Sequence, residues 1–460
     1  MLTSTRPPRA QRRPRVLGLA LAGTLALTGF AGLASGAGAA AAPDAGTGQL
    51  PGPPVAGGLR TGFELSGGAT WTTLEQEQQF LQALDAASER LSVTEVGRTA
   101  QDRPLQLVAV GDPAPASAEA IAFGSSVLFS CTQHGDEPSG REACLSLARD
   151  LAATTDPATA EFLRSTTVLF VPTVNPDGVA AGTRENSQGL DVNRDHLRLE
   201  TAEAQVLAQL QRDLRPDVLH DLHEYGPTPG TYDRDLIALW PRNRNVDARV
   251  HDLSQQLTEE HVLPAVAAGG NSTGIYGYRY DAAGNVVAQR AGDGQERILR
   301  NTAGLRHSLG ILVEASNAPA NPLEEANPAL LNLRRVDTQV TAARATLGMV
   351  AERRAEIADA TAASAARNAL ERATLSFAGA DNVLPDPDEV DLAPPCGYRL
   401  SAQQAADAAQ TLALQGIRTE AQPDGTVFVP AAQESRDLVH LLLDERAQYG
   451  LTVGEAVACE

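Results

Sequence analysis

Residues 126–145 read SVLFSCTQHGDEPSGREACL, and this stretch decides the fold prediction. Its first six residues form an apolar run typical of a buried strand, and Ser139–Ala153 has the pattern of a helix capped by Ser139. Between them, His134 and Glu137 follow the strand with the spacing H-x-x-E. A histidine and a carboxylate three residues apart can reach one metal ion from a turn. The pattern alone is common, and a solvated loop before a helix explains it equally well.

Short apolar runs alternate with helical segments on both sides of this stretch. Such alternation is typical of an α/β protein with a largely parallel sheet. We therefore expect a three-layer sandwich, in which helices flank a mixed, mostly parallel central sheet, with a small C-terminal α+β unit. The predicted strands are Leu91–Val96, Leu105–Val110, Ser126–Cys131, Thr167–Pro172, Asp217–Leu222, Leu236–Trp240 and Leu309–Glu314. The predicted helices include Ser139–Ala153, Ala202–Leu214, Val246–Val262 and Glu324–Ala355.

Changes in composition divide the chain into five segments. Residues 1–41 are predicted to be a signal peptide, 42–71 an N-terminal arm or linker, and 72–355 the main α/β domain. A helical and Pro-rich linker, 356–395, then leads to the small C-terminal unit, 396–460.

The first 41 residues have the layout of a secretory signal. They contain five Arg and no acid, followed by an apolar run and a small-residue stretch that ends near Ala41. An uncleaved anchor is the alternative, although Gly and Thr dilute the hydrophobicity. Arg12 and Arg13 ahead of the run suggest twin-arginine export. We expect a secreted protein with no stable membrane span after cleavage.

The charge balance excludes several classes of function. The chain has 57 Asp and Glu against 37 Lys and Arg, and all 37 are Arg, for a net charge of −20. Without the first 41 residues, 32 Arg stand against the same 57 acids, a net −25. Such acidity argues against nucleic acid as a partner. The absence of lysine excludes Schiff-base catalysis and a phosphate-binding P-loop.

The four cysteines suit an oxidising compartment. Cys396 and Cys459 lie at the two ends of the C-terminal unit, a spacing that suits a disulfide. Cys131 and Cys144 flank the H-x-x-E motif, and sequence leaves open whether they pair or stay as free thiols.

Three further motifs place polar residues at or near strand ends. VPTVNPDGVAAGTRENSQGLDVNRDHL (171–197), DVLHDLHEYG (217–226) and SLGILVEAS (308–316) follow the first motif in order. In an open α/β sheet, ligands bind beyond the carboxyl ends of the strands. Two histidines and a glutamate with an open fourth position form a known catalytic zinc arrangement.

These ordered motifs resemble those of the zinc carboxypeptidases related to carboxypeptidase A, over about residues 72–355. The resemblance implies a secreted bacterial enzyme that binds one Zn²⁺ per chain. It assigns the zinc ligands to His134, Glu137 and His223, and it makes Asp191 the carboxylate that orients the first histidine. A carboxylate in that position fixes the histidine tautomer.

The resemblance also implies hydrolysis of the C-terminal amide bond of a substrate with a free carboxylate. Glu314 is expected to act as the base on a zinc-activated water. Arg184 is expected to stabilise the oxyanion, while Asn193 and Arg194 bind the terminal carboxylate.

Two positions depart from or fall outside the family pattern. Asp136 stands where many family members carry Arg or Asn. The mobile active-site tyrosine of the family has no fixed match here; among Tyr276, Tyr278 and Tyr280, we take Tyr278 as the substrate-binding candidate.

Other interpretations of the same residues remain. His220 is a rival to His223, but residues three apart on a strand face opposite sides, which favours His223. Gly270, Ser272 and Gly274 match the G-x-S-x-G pattern of serine hydrolases, yet the elbow needs a preceding strand and a following helix. A Gly-rich loop on the substrate side explains them better.

Two other functions use the same framework. The motifs also resemble those of zinc desuccinylases and aspartoacylases, which would make the substrate an N-acyl amino acid rather than a peptide. A non-catalytic binding module is the third possibility, and the complete set of ligands with Glu314 argues against it.

Overall fold

The computed structural model describes residues 58–228, 231–370 and 372–459. The predicted signal peptide and most of the predicted N-terminal arm lie outside these residues. The described residues belong to one compact unit. None of the described helices combines the length and the apolar character needed to span a membrane.

The described residues form helices and strands in alternation. The strands are β1 (Leu91–Arg98), β2 (Pro104–Val110), β3 (Ser125–Cys131), β4 (Thr166–Val171), β5 (Val218–Tyr225), β6 (Leu236–Leu239), β7 (Thr273–Ile275), β8 (Tyr278–Tyr280), β9 (Val286–Gln289), β10 (Leu309–Ser316), β11 (Leu375–Ser376), β12 (Val390–Asp391), β13 (Gly397–Leu400), β14 (Glu420–Ala421), β15 (Val427–Pro430) and β16 (Glu455–Val457).

The helices vary from single turns to one of 43 residues. They are α1 (Gly62–Leu65), α2 (Leu74–Ala87), α3 (Ala118–Phe123), α4 (Ser139–Ala152), α5 (Pro157–Ser165), α6 (Pro176–Ala181), α7 (Ala202–Leu214), α8 (Ala248–Gln256), α9 (Leu263–Ala268), α10 (Leu299–Leu305), α11 (Pro322–Ala326), α12 (Pro328–Leu370), α13 (Ala402–Leu414) and α14 (Arg436–Leu443). A π-helical segment, Leu257–Val262, joins α8 to α9, and Val192–Arg194 and Pro387–Glu389 are 3₁₀ turns.

The central sheet has eight strands in the order β1-β2-β4-β3-β5-β10-β6-β7. The pairs β4/β3, β3/β5, β5/β10 and β6/β7 are parallel, and the other three pairs are antiparallel. Smaller antiparallel sheets lie towards the C-terminus, including β14-β15-β13-β16. The predicted fold class is confirmed, and each of the seven predicted strands is present.

Alternating side chains of the central strands supply two apolar cores. On β3, Val127 and Phe129 join one core, while Leu128 joins the other. Because successive residues of a strand point to opposite faces, both faces of the sheet are apolar and covered by helices. The larger core also includes Tyr398 and Leu438 of the C-terminal unit.

Several element boundaries differ from the sequence predictions. The predicted helix Glu324–Ala355 is divided into α11 and α12, because Pro328 forces the preceding Asn327 out of helical geometry (φ −138°, ψ 93°). Helix α12 then continues to Leu370, through the predicted boundary at 355, with one non-helical residue at Arg353. The segment interpreted as a Gly-rich loop contains β7, a short edge strand that has too few residues for a periodicity signal.

Both cysteine pairs form disulfides. Cys131 at the end of β3 is bonded to Cys144 in α4, and Cys396 is bonded to Cys459. The first bond joins a strand to the helix that follows the H-x-x-E motif.

Candidate metal centre and active site

Three predicted ligands meet at the carboxyl ends of two neighbouring strands. His134 and Glu137 lie in the turn after β3, and His223 lies near the end of β5. Each offers one ligand atom, and these atoms lie within 4.8 Å of one another. His134 Nδ1 is 2.7 Å from Glu137 Oε1, His223 Nδ1 is 2.9 Å from Glu137 Oε2, and the two Nδ1 atoms are 3.1 Å apart. All three side chains are buried.

Gly135 allows the turn after β3 to pack closely against α6. A Cβ atom at this position would lie 2.0 Å from the carbonyl carbon of Gly178 and 2.3 Å from the backbone nitrogen of Val179. Those neighbours are backbone and cannot move aside. The close approach therefore requires glycine beside the first histidine.

Each histidine of the group has a carboxylate on its outer nitrogen. His134 Nε2 lies 3.2 Å from Asp191 Oδ1, and His223 Nε2 lies 2.8 Å from Asp221 Oδ2. An Nε2–H that donates to a carboxylate leaves the lone pair of Nδ1 for a metal ion. Two imidazole nitrogens and one carboxylate oxygen, held in this way, fit the donor set of a catalytic zinc site.

The charges of the group stabilise one another. Burial acts to raise the pKa of Glu137, but the two adjacent histidines outweigh it and hold that pKa well below its usual range. Burial acts to lower the pKa of His223, but Asp221 and Glu137 outweigh it and raise that pKa well above its usual value. The carboxylates thus favour a positive charge at the centre of the group, and a metal cation supplies one.

Glu314 stands beside the group on the next strand. It lies in β10, which pairs in parallel with β5, and it is directly opposite His223 in the register. Burial raises the pKa of Glu314 to about 7, above the ordinary value of a carboxyl group. A group that titrates near neutrality can both accept and return a proton under ordinary conditions.

Arg184 and Arg194 bring positive charge to the same cavity. Arg184 Nε donates to Asp191 Oδ2 at 3.1 Å, and its Nη1 lies 3.0 Å from His134 Nδ1. Arg194 donates to the backbone carbonyl of Asn193 at 2.8 Å. Within the described residues, no carboxylate lies at ion-pair distance from Arg194. Its charge is therefore available to a ligand.

Asn193 connects the second histidine to helix α10. Its Nδ2 lies 3.3 Å from Asp221 Oδ2, and its Oδ1 accepts a hydrogen bond of 2.9 Å from the backbone N–H of Leu299. Asn193 lines the cavity next to Arg194. Asn193 thus lies next to Arg194 in the cavity, and its side chain also has a structural role that the sequence did not indicate.

A cavity of about 430 Å³ contains the whole group. The predicted residues that line it are His134, Asp136, Glu137, Arg184, Asn193, Arg194, His223 and Glu314. Asp191 lies behind them, against His134.

Of the three candidate tyrosines, Tyr276 lines the cavity and Tyr278 does not, so the structure favours Tyr276 over the predicted Tyr278. Tyr276 lines the cavity, together with Tyr232, and the two rings are 5.1 Å apart. Tyr278 lies in β8, outside the cavity lining. Gly277, with φ 82°, makes a turn between these tyrosines, so their directions do not follow strand alternation.

The other polar candidates lie outside the group. His220 points to the opposite face of β5, where its Nδ1 lies 2.9 Å from Thr346 Oγ1 of α12. Ser272 binds Asp235 through its hydroxyl at 2.7 Å, and it lies between a helix and a strand, the reverse of a nucleophile elbow.

Asp221 and its partners are functional candidates that sequence reasoning missed. Gln133 Nε2 donates to Asp221 Oδ1 at 2.7 Å, and His196 Nε2 lies 2.7 Å from Gln133 Oε1. Burial lowers the pKa of His196 to about 3, so this ring is neutral and donates to the glutamine. Asp221 precedes His223 by two residues on one strand and shares its face, a signal that was available in the sequence.

A known family matches the part of the chain that contains the first ligands of the group. Residues 77–218 match the family model described as zinc carboxypeptidase. The chain therefore contains a region of the zinc carboxypeptidase family, which covers 142 of its 460 residues. The matched region includes His134, Glu137 and Arg184, whereas His223 and Glu314 lie beyond it and are placed by the structure.

The curated relatives match part of this chain. Carboxypeptidase 2 of Trichophyton tonsurans is 29% identical over 188 residues, which is 39% of this chain and 35% of the relative. Carboxypeptidase E of Caenorhabditis elegans is 29% identical over 161 residues, 30% of this chain and 33% of the relative. The matched part thus spans about a third of the length of these relatives.

Among solved structures, a metallo-carboxypeptidase from Pseudomonas aeruginosa is 18% identical, with a TM-score of 0.47. The match covers 62% of this chain and 69% of that one. A putative carboxypeptidase A from Shewanella denitrificans gives a TM-score of 0.46 at 18% identity, over 60% of this chain and 70% of that one.

Proposed function

We propose that this protein is a zinc-dependent carboxypeptidase that hydrolyses the C-terminal peptide bond of substrates with a free carboxylate. The observation that carries the proposal is that the ligand group His134, Glu137 and His223 opens on one cavity with Glu314 and Arg194. A metal site, a proton acceptor and an unpaired arginine within one cavity are the parts that such a reaction needs.

Substrate binding is assigned mainly to Arg194. The planar guanidinium offers paired N–H donors that match the two oxygens of a carboxylate. Arg194 is unpaired among the described residues, and Asn193 lies beside it. Binding the terminal carboxylate here would place the last peptide bond of the substrate towards Glu314 and the ligand group.

The chemical step is assigned to Glu314 and Arg184. A bound zinc ion would supply a Lewis acid that polarises a carbonyl and makes water more acidic. Glu314 accepts the proton of the attacking water and returns it to the leaving amine, a task that suits its raised pKa. Arg184, whose Nη1 reaches the edge of the ligand group, stabilises the negative charge that develops on the carbonyl oxygen.

Export is part of the proposal. The basic and apolar layout of residues 1–41 supports secretion, and the two disulfides are compatible with an oxidising compartment. Detection of the mature protein in the culture medium, starting after about Ala41, would test it. Retention of the full-length chain in the cell membrane would contradict it.

The function is tested with a substrate panel measured with and without a metal chelator. We expect the zinc-loaded protein to release single C-terminal residues from N-blocked peptides, and the chelator to abolish this release. A peptide whose C-terminus is amidated is the matched control, because it lacks the carboxylate for Arg194. Hydrolysis of N-acyl amino acids but not of peptides would select the deacylase instead, and activity unaffected by the chelator would contradict the zinc mechanism.

A further inference from the structure

One end of the active-site cavity is lined by residues that the reaction itself does not use. Beyond Asn193, its wall carries Tyr276, Asp293, Arg300 and Leu312. The backbone of Leu299, which directly precedes Arg300, donates to Asn193 Oδ1. Arg300 is therefore fixed next to the proposed site of the terminal carboxylate. A side chain on the last residue of a substrate would extend into this part of the cavity.

Arg300 is a buried cation with unused hydrogen-bonding capacity. The residue is only 2% exposed. Its Nη2 donates to Asp293, to the carboxylate Oδ2 at 2.5 Å and to the backbone carbonyl at 3.0 Å. Its Nε has no hydrogen-bond partner among the described residues. A buried guanidinium N–H without an acceptor is costly, and a ligand that accepts from it removes that cost.

Positive charge exceeds negative charge around Asp293. Arg300 pairs with this aspartate from one side. Arg290 lies near the same wall, because its Nη1 donates at 3.3 Å to the hydroxyl of Tyr232, which lines the cavity. Arg194 adds a third, unpaired cation nearby. Arg300 and Arg194 both line the cavity and offer positive charge to an anion, although the protein as a whole is acidic.

We propose that Arg300 selects substrates whose C-terminal residue is itself acidic, glutamate or aspartate. Arg194 would bind the main-chain carboxylate, and Arg300 the side-chain carboxylate. A basic side chain is disfavoured here, because it would meet Arg300 while Asp293 is already paired with that arginine. This inference rests on the proposed carboxypeptidase function.

The test compares N-blocked dipeptides that end in Glu, Gln, Lys or Leu, using the zinc-loaded full chain. We expect kcat/KM for the Glu peptide to exceed that for its isostere Gln by roughly 10- to 100-fold, since a hydrogen-bonded charge contributes about 1.5–3 kcal/mol. Arg300→Gln should remove most of this ratio, and Arg300→Lys should retain part of it. The exposed Arg279, on β8 outside the cavity lining, is the matched control, and Arg279→Gln should retain the full ratio.

Each outcome of this comparison supports or overturns the proposed preference for an acidic C-terminal residue. Equal rates for Glu and Gln in the unmodified protein would overturn it, even if Arg300→Gln does not fold. A preference for Lys that is lost in Asp293→Asn would make Asp293 the selecting residue and would also overturn it. Hydrolysis of none of the peptides would instead contradict the proposed function, so the two failures are distinguishable. Zinc content and the thermal unfolding midpoint verify that each variant is folded.

Discussion

One cavity lies at the carboxyl ends of the parallel strands of the central sheet, and another lies at their amino ends. The two cavities differ in how their polar side chains are bonded. At the carboxyl ends, a cavity of about 430 Å³ contains the ligand group and Glu314. At the amino ends, a larger cavity of about 530 Å³ is lined by Arg306 and His307 after α10, and by Asp217 before β5. Cavity volume alone would select the amino-end cavity as the functional site.

Most polar groups of the amino-end cavity are bonded within the protein, although Arg306 Nε has no hydrogen-bond partner among the described residues. Arg306 donates to the backbone carbonyls of Ala208 and Leu414 and to Gln415, and His307 binds Ser364. At the carboxyl end, by contrast, two Nδ1 atoms and a carboxylate converge on one point, and Arg194 has no carboxylate partner among the described residues. The difference teaches that ligand atoms that converge on one point indicate the functional site, whereas cavity size does not.

The largest effect on zinc binding and activity is expected for His223, which lies on the opposite face of β5 from His220. His223→Ala should lose stoichiometric zinc and reduce kcat/KM by at least about 10³-fold, because Lewis-acid catalysis contributes several kcal/mol. Zinc content by elemental analysis, together with peptide hydrolysis, would measure both. His220→Ala, three residues earlier, is the control; it should keep zinc and lose only stability. Equal zinc loss in both variants would refute the assignment of metal binding to the face of β5 that carries His223.

Replacement of Glu314 separates chemistry from metal binding. Glu314→Gln preserves the shape of the side chain but cannot accept a proton. We expect normal zinc content with kcat reduced by about 10²–10⁴-fold. If turnover persists, another group is the base.

The carboxylates behind the histidines should have a smaller effect. Asp221→Asn weakens the hydrogen bond that orients His223, and zinc affinity should fall by about 10–100-fold. Competition with a chromophoric chelator measures this affinity. Asp217→Asn, just before the amino end of the same strand, is the control, and its zinc affinity should be unchanged. An Asp221→Asn variant with unaltered affinity would assign that aspartate a purely structural role.

The smallest effect on function is expected at the amino-end cavity. Arg306→Gln removes donors from several buried acceptors, so the free energy of unfolding should fall by about 1–3 kcal/mol. kcat/KM should stay the same, because Arg306 lies at the opposite end of the strands. Denaturant unfolding and peptide hydrolysis, measured together, distinguish the two quantities. A strong loss of activity with unchanged stability would mean that the two ends are coupled.

The sequence could predict the strands and the ligands for one shared reason. Buried parallel strands are continuous apolar runs, and polar residues at or beyond their ends drew attention to His134, His223 and Glu314, whose roles came from the resemblance to the zinc carboxypeptidases. Asp221 was missed because it lies within the strand, although its spacing from His223 implied a shared face. Tyr278 was chosen over Tyr276 because sequence does not show the direction of the turn at Gly277, and Arg300 was missed because its place depends on its contact with Asp293.

The most direct measurement follows one peptide by mass spectrometry with metal-free protein, with the same protein plus one equivalent of zinc, and with an excess of chelator. The account predicts no cleavage without metal, stepwise loss of single C-terminal residues after zinc is restored, and no cleavage once the chelator is added. Cleavage at internal bonds, or equal C-terminal trimming by the metal-free protein, would contradict it.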